Sequence, residues 1–290
     1  MTPRDIALAT LVAIIWGLGF VLTRVAVEEM SSTLLTLLRF ALSALPCLVL
    51  APPRMPRKVL IGIALLLILQ FLAQTYGIAQ GVPAGLTAVV VQSQALFTIA
   101  FAAVLLAEIP TRGQIAGIAI AACGLLLICF TVGYDFSVFA FAMTMTAPIS
   151  FAFSNLLMRG ARDVSMLNLT AWVGLISVPP LGAVLLAVDG PAATWHSLTH
   201  VSPKVAICVL VLSFGSSTLG YWIWGRLLQT YTPAQVVPFA LLIPFIGAGA
   251  SSLVFGETFG PLRLTGVAIV IAGLAVMLLA GRSRVVPEIG

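Results

Sequence analysis

Apolar runs long enough to cross a bilayer alternate along this chain with short breaks of charge, proline or glycine. A hydrocarbon core about 30 Å thick is crossed by roughly 20 helical residues. Runs of that size fall at about 5–27, 33–51, 58–80, 84–107, 112–131, 137–159, 165–188, 204–229, 233–255 and 261–281. Polar residues interrupt these runs at helical spacing. Gln70 and Gln74 stand one turn apart and continue through Gly77 and Gly81, while Ser213, Ser217, Gly220 and Trp224 follow the same spacing with Tyr221 and Trp222 alongside. Gln94, Trp16 with Thr23, and Ser154 with Asn155 extend the pattern. Lipid offers such side chains no partner, so they turn toward the interior of a bundle. The pattern predicts an all-α integral membrane protein of ten transmembrane helices.

The stretch 84–125 has a second copy 149 positions later, at 233–274. One register sets Glu108 on Glu257, Gly117 on Gly266, Ala119 on Ala268, Ile120 on Ile269, Gly124 on Gly273 and Leu125 on Leu274, and carries Gln80 onto Gln229. A hydrophobic chain that repeats at half its own length is the signature of a transporter built from two related halves, here 1–133 and 134–290. Five spans per half is an odd number, so the second half enters the membrane from the opposite side and the repeats are inverted. Such halves can exchange conformations, which opens a central site alternately to each face.

Composition narrows the classes. The chain is 61% hydrophobic and 8% charged, with a mean hydropathy of +1.16, against about a quarter charged in soluble domains. Ten spans would consume about 200 residues, which leaves no room for a soluble catalytic domain. The net charge of +5 belongs to short loops, where it signals topology rather than nucleic-acid binding. With the N-terminus inside, that side receives Arg4, Arg54, Arg57, Lys58, Arg112, Arg159, Arg162, Arg226, Arg282 and Arg284, and the outer side keeps Arg24, Arg39, Lys204 and Arg263. This excess predicts that both termini are cytoplasmic, in a bacterial inner membrane. The first span follows a single Arg with no small-residue cleavage site, and is read as a span rather than a signal peptide.

No motif for a metal or cofactor is present. Cys47, Cys123, Cys129 and Cys208 lie within apolar runs without a CxxC spacing, and read as packing residues. His196 and His200 fall in the longest connection, 189–203, which is predicted to be an external surface loop; their spacing suits a metal only on a helix and with further ligands. The carboxylates Asp5, Glu28, Glu29, Glu108, Asp135, Asp163, Asp189, Glu257 and Glu288 all lie at span ends or in loops. An intramembrane enzyme would need a nucleophile with a base, or a metal cluster, at membrane depth. Carriers of cationic drugs and many proton antiporters place a carboxylate at midplane to balance the ion.

The candidate substrate contacts are Trp16, Gln70, Gln74, Gln94, Asn155, Ser217, Tyr221 and Trp224. Individually each Gln or Ser could equally well hydrogen-bond a neighbouring helix, worth on the order of 0.6 kcal/mol, and Trp and Tyr also populate the interfacial belt. Together they predict a central cavity of amides, hydroxyls and aromatic rings without charge, suited to a neutral or zwitterionic solute. Arg39, about two turns into the second span, either snorkels to the outer headgroups or meets a substrate carboxylate, Glu28 or Glu29. Glu108 and Glu257 are placed to face the positive N-terminal ends of the helices that follow them. Pro148, Pro238 and Pro244 remove backbone donors inside spans, as do Pro179 and Pro180, and are hinges in a carrier or fixed bends in a static bundle.

The helix-ending Glu followed by a glycine-spaced helix, in both halves, resembles the EamA family of the drug/metabolite transporter superfamily, and TLLTLLRFAL (33–42) resembles that family's second helix. The likeness covers essentially the whole chain. It implies ten helices in an inverted repeat and a carrier function, since relatives of this type, the YddG-like exporters among them, export amino acids and other small metabolites. The expectation is therefore an amino acid exporter working by alternating access, with lipid and a small-molecule substrate as its partners. The rival readings are efflux of drugs or other metabolites, a channel, or an intramembrane enzyme.

Overall fold

The structure, a computed structural model, describes residues 1–131, 136–159 and 164–281, and among these it consists of helices joined by short connections, with no strand. Ten helices follow one another: α1 (Pro3–Ala26), α2 (Ser32–Leu48), α3 (Arg57–Ala79), α4 (Ala84–Leu105), α5 (Arg112–Cys129), α6 (Val138–Met158), α7 (Met166–Val188), α8 (Pro203–Thr230), α9 (Val237–Phe255) and α10 (Pro261–Gly281). All but α2 have the length and apolar character to span a membrane. Side-chain caps start many of them. Thr2 accepts from the Asp5 N–H, Ser31 from Leu34, Ser137 from Ala140 and Ser202 from Val205, each occupying a donor that lipid could not satisfy. Thr111 and Gln114 cap α5 reciprocally.

Several helices depart from the even spans expected from the sequence. Pro46 tightens the end of α2 into a 3₁₀ turn over Leu45–Leu48, so that helix stops short of residue 51. α4 is two helices, Ala84–Gln92 and Gln94–Leu105, that meet at Ser93, whose hydroxyl donates to the Val90 carbonyl. α8 widens into π winding over Val211–Gly220. α9 is preceded by one turn, Pro233–Val236, and begins as a 3₁₀ stretch that contains Pro238. The connection expected to be a loop contains a helix, Gly190–Thr199, with the His196 and His200 rings stacked 4.3 Å apart.

Equivalent helices of the two halves pack against each other in opposite directions. α5 and α10 form the most extensive pair. A side chain at Gly117 would meet the Gly273 carbonyl at 2.7 Å, and one at Gly124 the Gly266 carbonyl at 2.7 Å, so only glycine permits this approach. Because residue 117 corresponds to 266 and residue 124 to 273, the contact is antiparallel, and the repeats are inverted about an axis that passes through it. α4 and α9 also cross antiparallel, with Gly85 against Ala248 and the Gln92 amide donating to the Ala240 carbonyl. So do α2 and α7, with Gly174 against the Phe40 carbonyl. Around this axis α3 packs on α6, where Gly77 lies against Thr144, and α1 packs on α8. The glycine contact is thus internal to the chain. Arg162, Arg282, Arg284, Asp135, Asp163, Glu288 and the 133/134 junction lie outside the described residues.

Candidate substrate cavity

The apolar faces of α1, α2, α3, α4, α6, α8 and α9 do not meet at the centre, and they leave a cavity of about 380 Å³. Its wall includes Trp16, Gln70, Gln74, Gln94, Asn155, Tyr221 and Trp224, so all but one of the substrate contacts expected from the sequence come together. The exception is Ser217, which is buried behind the wall and accepts from Arg39. Phe20, Phe71, Gln92, Phe151, Met158, Met166 and Ser216 complete much of the lining. Gln92 and Ser216 carried a usable signal, each being a polar residue in an apolar run beside a chosen one. The phenylalanines and methionines carried none, since such residues fill lipid-facing positions equally well.

Arg39 is the largest correction to the sequence reading. It does not snorkel, and it meets neither Glu28 nor Glu29. Its Nε donates to Ser217 Oγ at 2.8 Å and its Nη2 to Ser216 Oγ at 3.0 Å, while the guanidinium lies 4.3 Å from the centre of the Phe71 ring. At 9% exposure it sits on the cavity wall. The chamber expected to be uncharged therefore contains a cation. An arginine stays protonated here, and its partners are neutral.

Ser216 joins that cation to an aromatic cluster. Its carbonyl accepts from Trp16 Nε1 at 3.0 Å, and the Trp16 ring lies 5.2 Å from both Tyr221 and Trp224, tilted by 53° and 54°. Gly220 makes the fit possible, since a side chain there would meet Trp16 Nε1 at 2.7 Å. On the opposite wall Asn155 Nδ2 donates to Gln94 Oε1 at 2.6 Å and to Thr98 Oγ1 at 3.2 Å. Gln70 Oε1 is buried and has no hydrogen-bond partner among the described residues.

The cavity reaches one face only. Met158 ends α6, Met166 begins α7, Leu228 is near the end of α8 and Val237 begins α9, and alternation along the chain puts all four at the face where α1 starts. Toward the other face, Phe20, Ile78, Ala84, Ala88 and Ile243 pack into a buried cluster. Arg24 Nη1 donates to the Ile78 carbonyl at 3.0 Å, Glu29 accepts from the Ser202 N–H and hydroxyl, and Ser31 is hydrogen-bonded to Asp189. Both hydrogen bonds from Ser202 favour the ionised form of Glu29 and hold its carboxyl below the usual range.

The two repeated glutamates are placed differently from expectation. Glu257 faces α4 rather than α10, accepting from the Ala84 N–H at 2.9 Å and the Gly85 N–H at 3.3 Å. Pro83, at the α4 N-cap, has no side-chain acceptor of its own, which leaves those donors free for a carboxylate. Glu108 pairs with Arg159 on an exposed surface, because Thr111 and Gln114 already cap α5. Pro148 is inside α6, Pro238 in the 3₁₀ start of α9 and Pro244 in the helix that follows, at or near the cavity's helices. Among the described residues no group of three His, Cys, Asp or Glu side chains could hold a metal.

A profile of the EamA-like transporter family matches residues 4–130 and again residues 138–279. The chain belongs to that family. EamA relatives include two proteins named "Probable amino-acid metabolite efflux pump". The one from Salmonella typhimurium is 34% identical over 292 residues, covering 98% of both chains, and the one from Escherichia coli is 32% identical over 298 residues, covering 100% of both. A solved structure described as "Crystal structure of protein" superposes with a TM-score of 0.66 at 15% identity, covering 98% of this chain and 100% of its own, a likeness of fold. As an EamA protein the chain is a multi-pass membrane transporter of small metabolites and not an enzyme.

Proposed function

We propose that the protein exports amino acids and their close derivatives across the bacterial inner membrane by alternating access through this cavity. The observation that carries the reading is the cavity's position: walls from both halves enclose it at midplane, and it reaches the α1-start face while the opposite face is packed shut. The positive-inside excess assigns the open face to the cytoplasm and both termini with it, which is where an exporter collects its cargo. The halves 1–133 and 134–290 then move against each other about the α5–α10 contact, with Pro148, Pro238 and Pro244 absorbing the bend. Trp16, Tyr221 and Trp224 receive the side group, Gln70, Gln74, Gln94 and Asn155 its polar atoms, and Arg39 its carboxylate. The relatives' printed names agree with such a cargo.

Purified protein in liposomes tests this. Labelled amino acids should enter saturably and compete with unlabelled ones, and Gln74→Ala and Trp224→Ala should each weaken apparent affinity about 3–10-fold, the worth of a hydrogen bond or ring contact. Flux that never saturates would identify a pore instead. Unchanged affinity in both variants would move the site elsewhere.

A further inference from the structure

A buried guanidinium is expensive unless something answers its charge, and among the described residues no carboxylate answers that of Arg39. Arg39 spends its Nε and one terminal nitrogen on the hydroxyls of Ser216 and Ser217, which are neutral. The described carboxylates are occupied elsewhere or lie at the surface. Glu257 is on the α4 N-terminus, Glu29 on Ser202, Glu108 on Arg159, Asp5 on the Tyr231 hydroxyl and Asp189 on Ser31, while Glu28 is exposed. None of them lines the cavity.

The same wall offers no matching receptor for a cation. Gln94 Oε1 is taken by Asn155, and the remaining acceptors, the unpartnered Gln70 Oε1 and the Tyr221 hydroxyl among them, carry no charge. The aromatic cluster is tied to the arginine through Ser216, so a carboxylate seated on Arg39 directs the rest of its molecule onto Trp16.

We infer that the cavity selects its cargo by the carboxylate and not by the ammonium: Arg39 requires an anionic head on an apolar or aromatic group, and a free amino group is dispensable. N-acyl amino acids and 2-oxo acids are then accepted alongside the amino acids, while amines and carboxamides of the same shape are refused. This rests on the cavity being the substrate path proposed above. The competing use of the aromatic cluster, holding an ammonium against ring faces, predicts the reverse order.

Binding to the purified full-length protein, read by titration calorimetry, separates the cases. The probes are phenylalanine and methionine, their N-acetyl derivatives, their carboxamides, and phenethylamine. The acids and N-acetyl acids should bind within about tenfold of each other, and the carboxamides and phenethylamine should be weaker by about 10–100-fold, the loss expected for a hydrogen-bonded charge. Arg39→Gln should bring acids down to the carboxamides, and Arg39→Lys should keep part of the preference. If carboxamides or phenethylamine bind as well as the acids, the carboxylate rule is overturned while amino acid carriage stands. If no probe binds the wild-type protein, both the rule and the substrate path fall. The wild-type series decides the matter even if a variant does not fold.

Discussion

Glu257 and Glu108 occupy equivalent positions in the two halves, yet they hold different partners. Glu257 is half-buried and closes on the first turn of α4, next to the packed cluster that shuts one face. Glu108 is exposed, paired with Arg159, at the face the cavity reaches. Identical chemistry therefore contributes unequally, because a carboxylate on free helix donors in a sheltered position is worth up to about 2 kcal/mol, whereas an exposed ion pair is worth about 0–1 kcal/mol. The difference teaches that an inverted repeat need not be symmetric in any one conformation. Each glutamate is a fastening set by the partners at its own face. The repeat also differs at the helix it would fasten: α4 begins Pro83-Ala84-Gly85, but the corresponding Thr232-Pro233-Ala234 lacks one N–H, and Thr232 is already hydrogen-bonded to Gln235.

The α5–α10 glycine contact joins the two halves, and the most damaging change should fall there. Gly273→Leu drives a side chain toward the Ala121 nitrogen, which even a Cβ would meet at 2.4 Å. It should cost several kcal/mol, at or above the usual 1–3 kcal/mol of an overpacked site, and lower the thermal midpoint in detergent sharply. An unaltered midpoint would show that α5 and α10 are not the axis.

Next comes the pair of fastenings. In a background without native cysteines, Ile78→Cys reports on the packed face, since Ile78 is fully buried there. Glu257→Ala should raise its labelling rate on the order of tenfold, as expected for loss of about 1–2 kcal/mol, and Glu108→Ala should change it less than about threefold. Equal effects would break the asymmetry.

The smallest effect concerns pH. The depressed carboxyl of Glu29 adds support to the packed face that is present above its ordinary value of 4.5 and is lost as pH falls through its lower folded value. Labelling at position 78, taken as a ratio to that of an exposed cysteine at the same pH so that thiolate loss cancels, should therefore rise modestly on acidification below about that value, and Glu29→Gln should remove this step.

Much of this architecture was legible in the chain. The register that aligned Gly117 with Gly266 and Gly124 with Gly273 led to the most extensive helix contact, because close approach leaves a composition mark that a single sequence preserves. Gln70, Gln74, Trp16 and Trp224 were found because a polar or aromatic residue at helical spacing in an apolar run has few places to go. Arg39 stayed open among the outer headgroups, a substrate carboxylate and Glu28 or Glu29 because its partners, Ser216 and Ser217, are 177 and 178 positions away and belong to the other half. The break of α4 at Ser93 has neither proline nor glycine to announce it. The helix over 190–199 was missed because a Gly-Pro start and scattered polar residues read as a loop.

The π winding over Val211–Gly220 determines the angular phase of everything after it. Each residue of an ordinary helix advances the side-chain direction by about 100°, and a wide turn delays that advance, commonly at functional positions. Ser216 lies before the delay ends and Tyr221 and Trp224 after it, yet all three look into one chamber. Rewinding 211–220 to ordinary α winding, with no residue added or removed, would keep the composition and every motif intact, while rotating the indole and phenol away from the guanidinium they accompany.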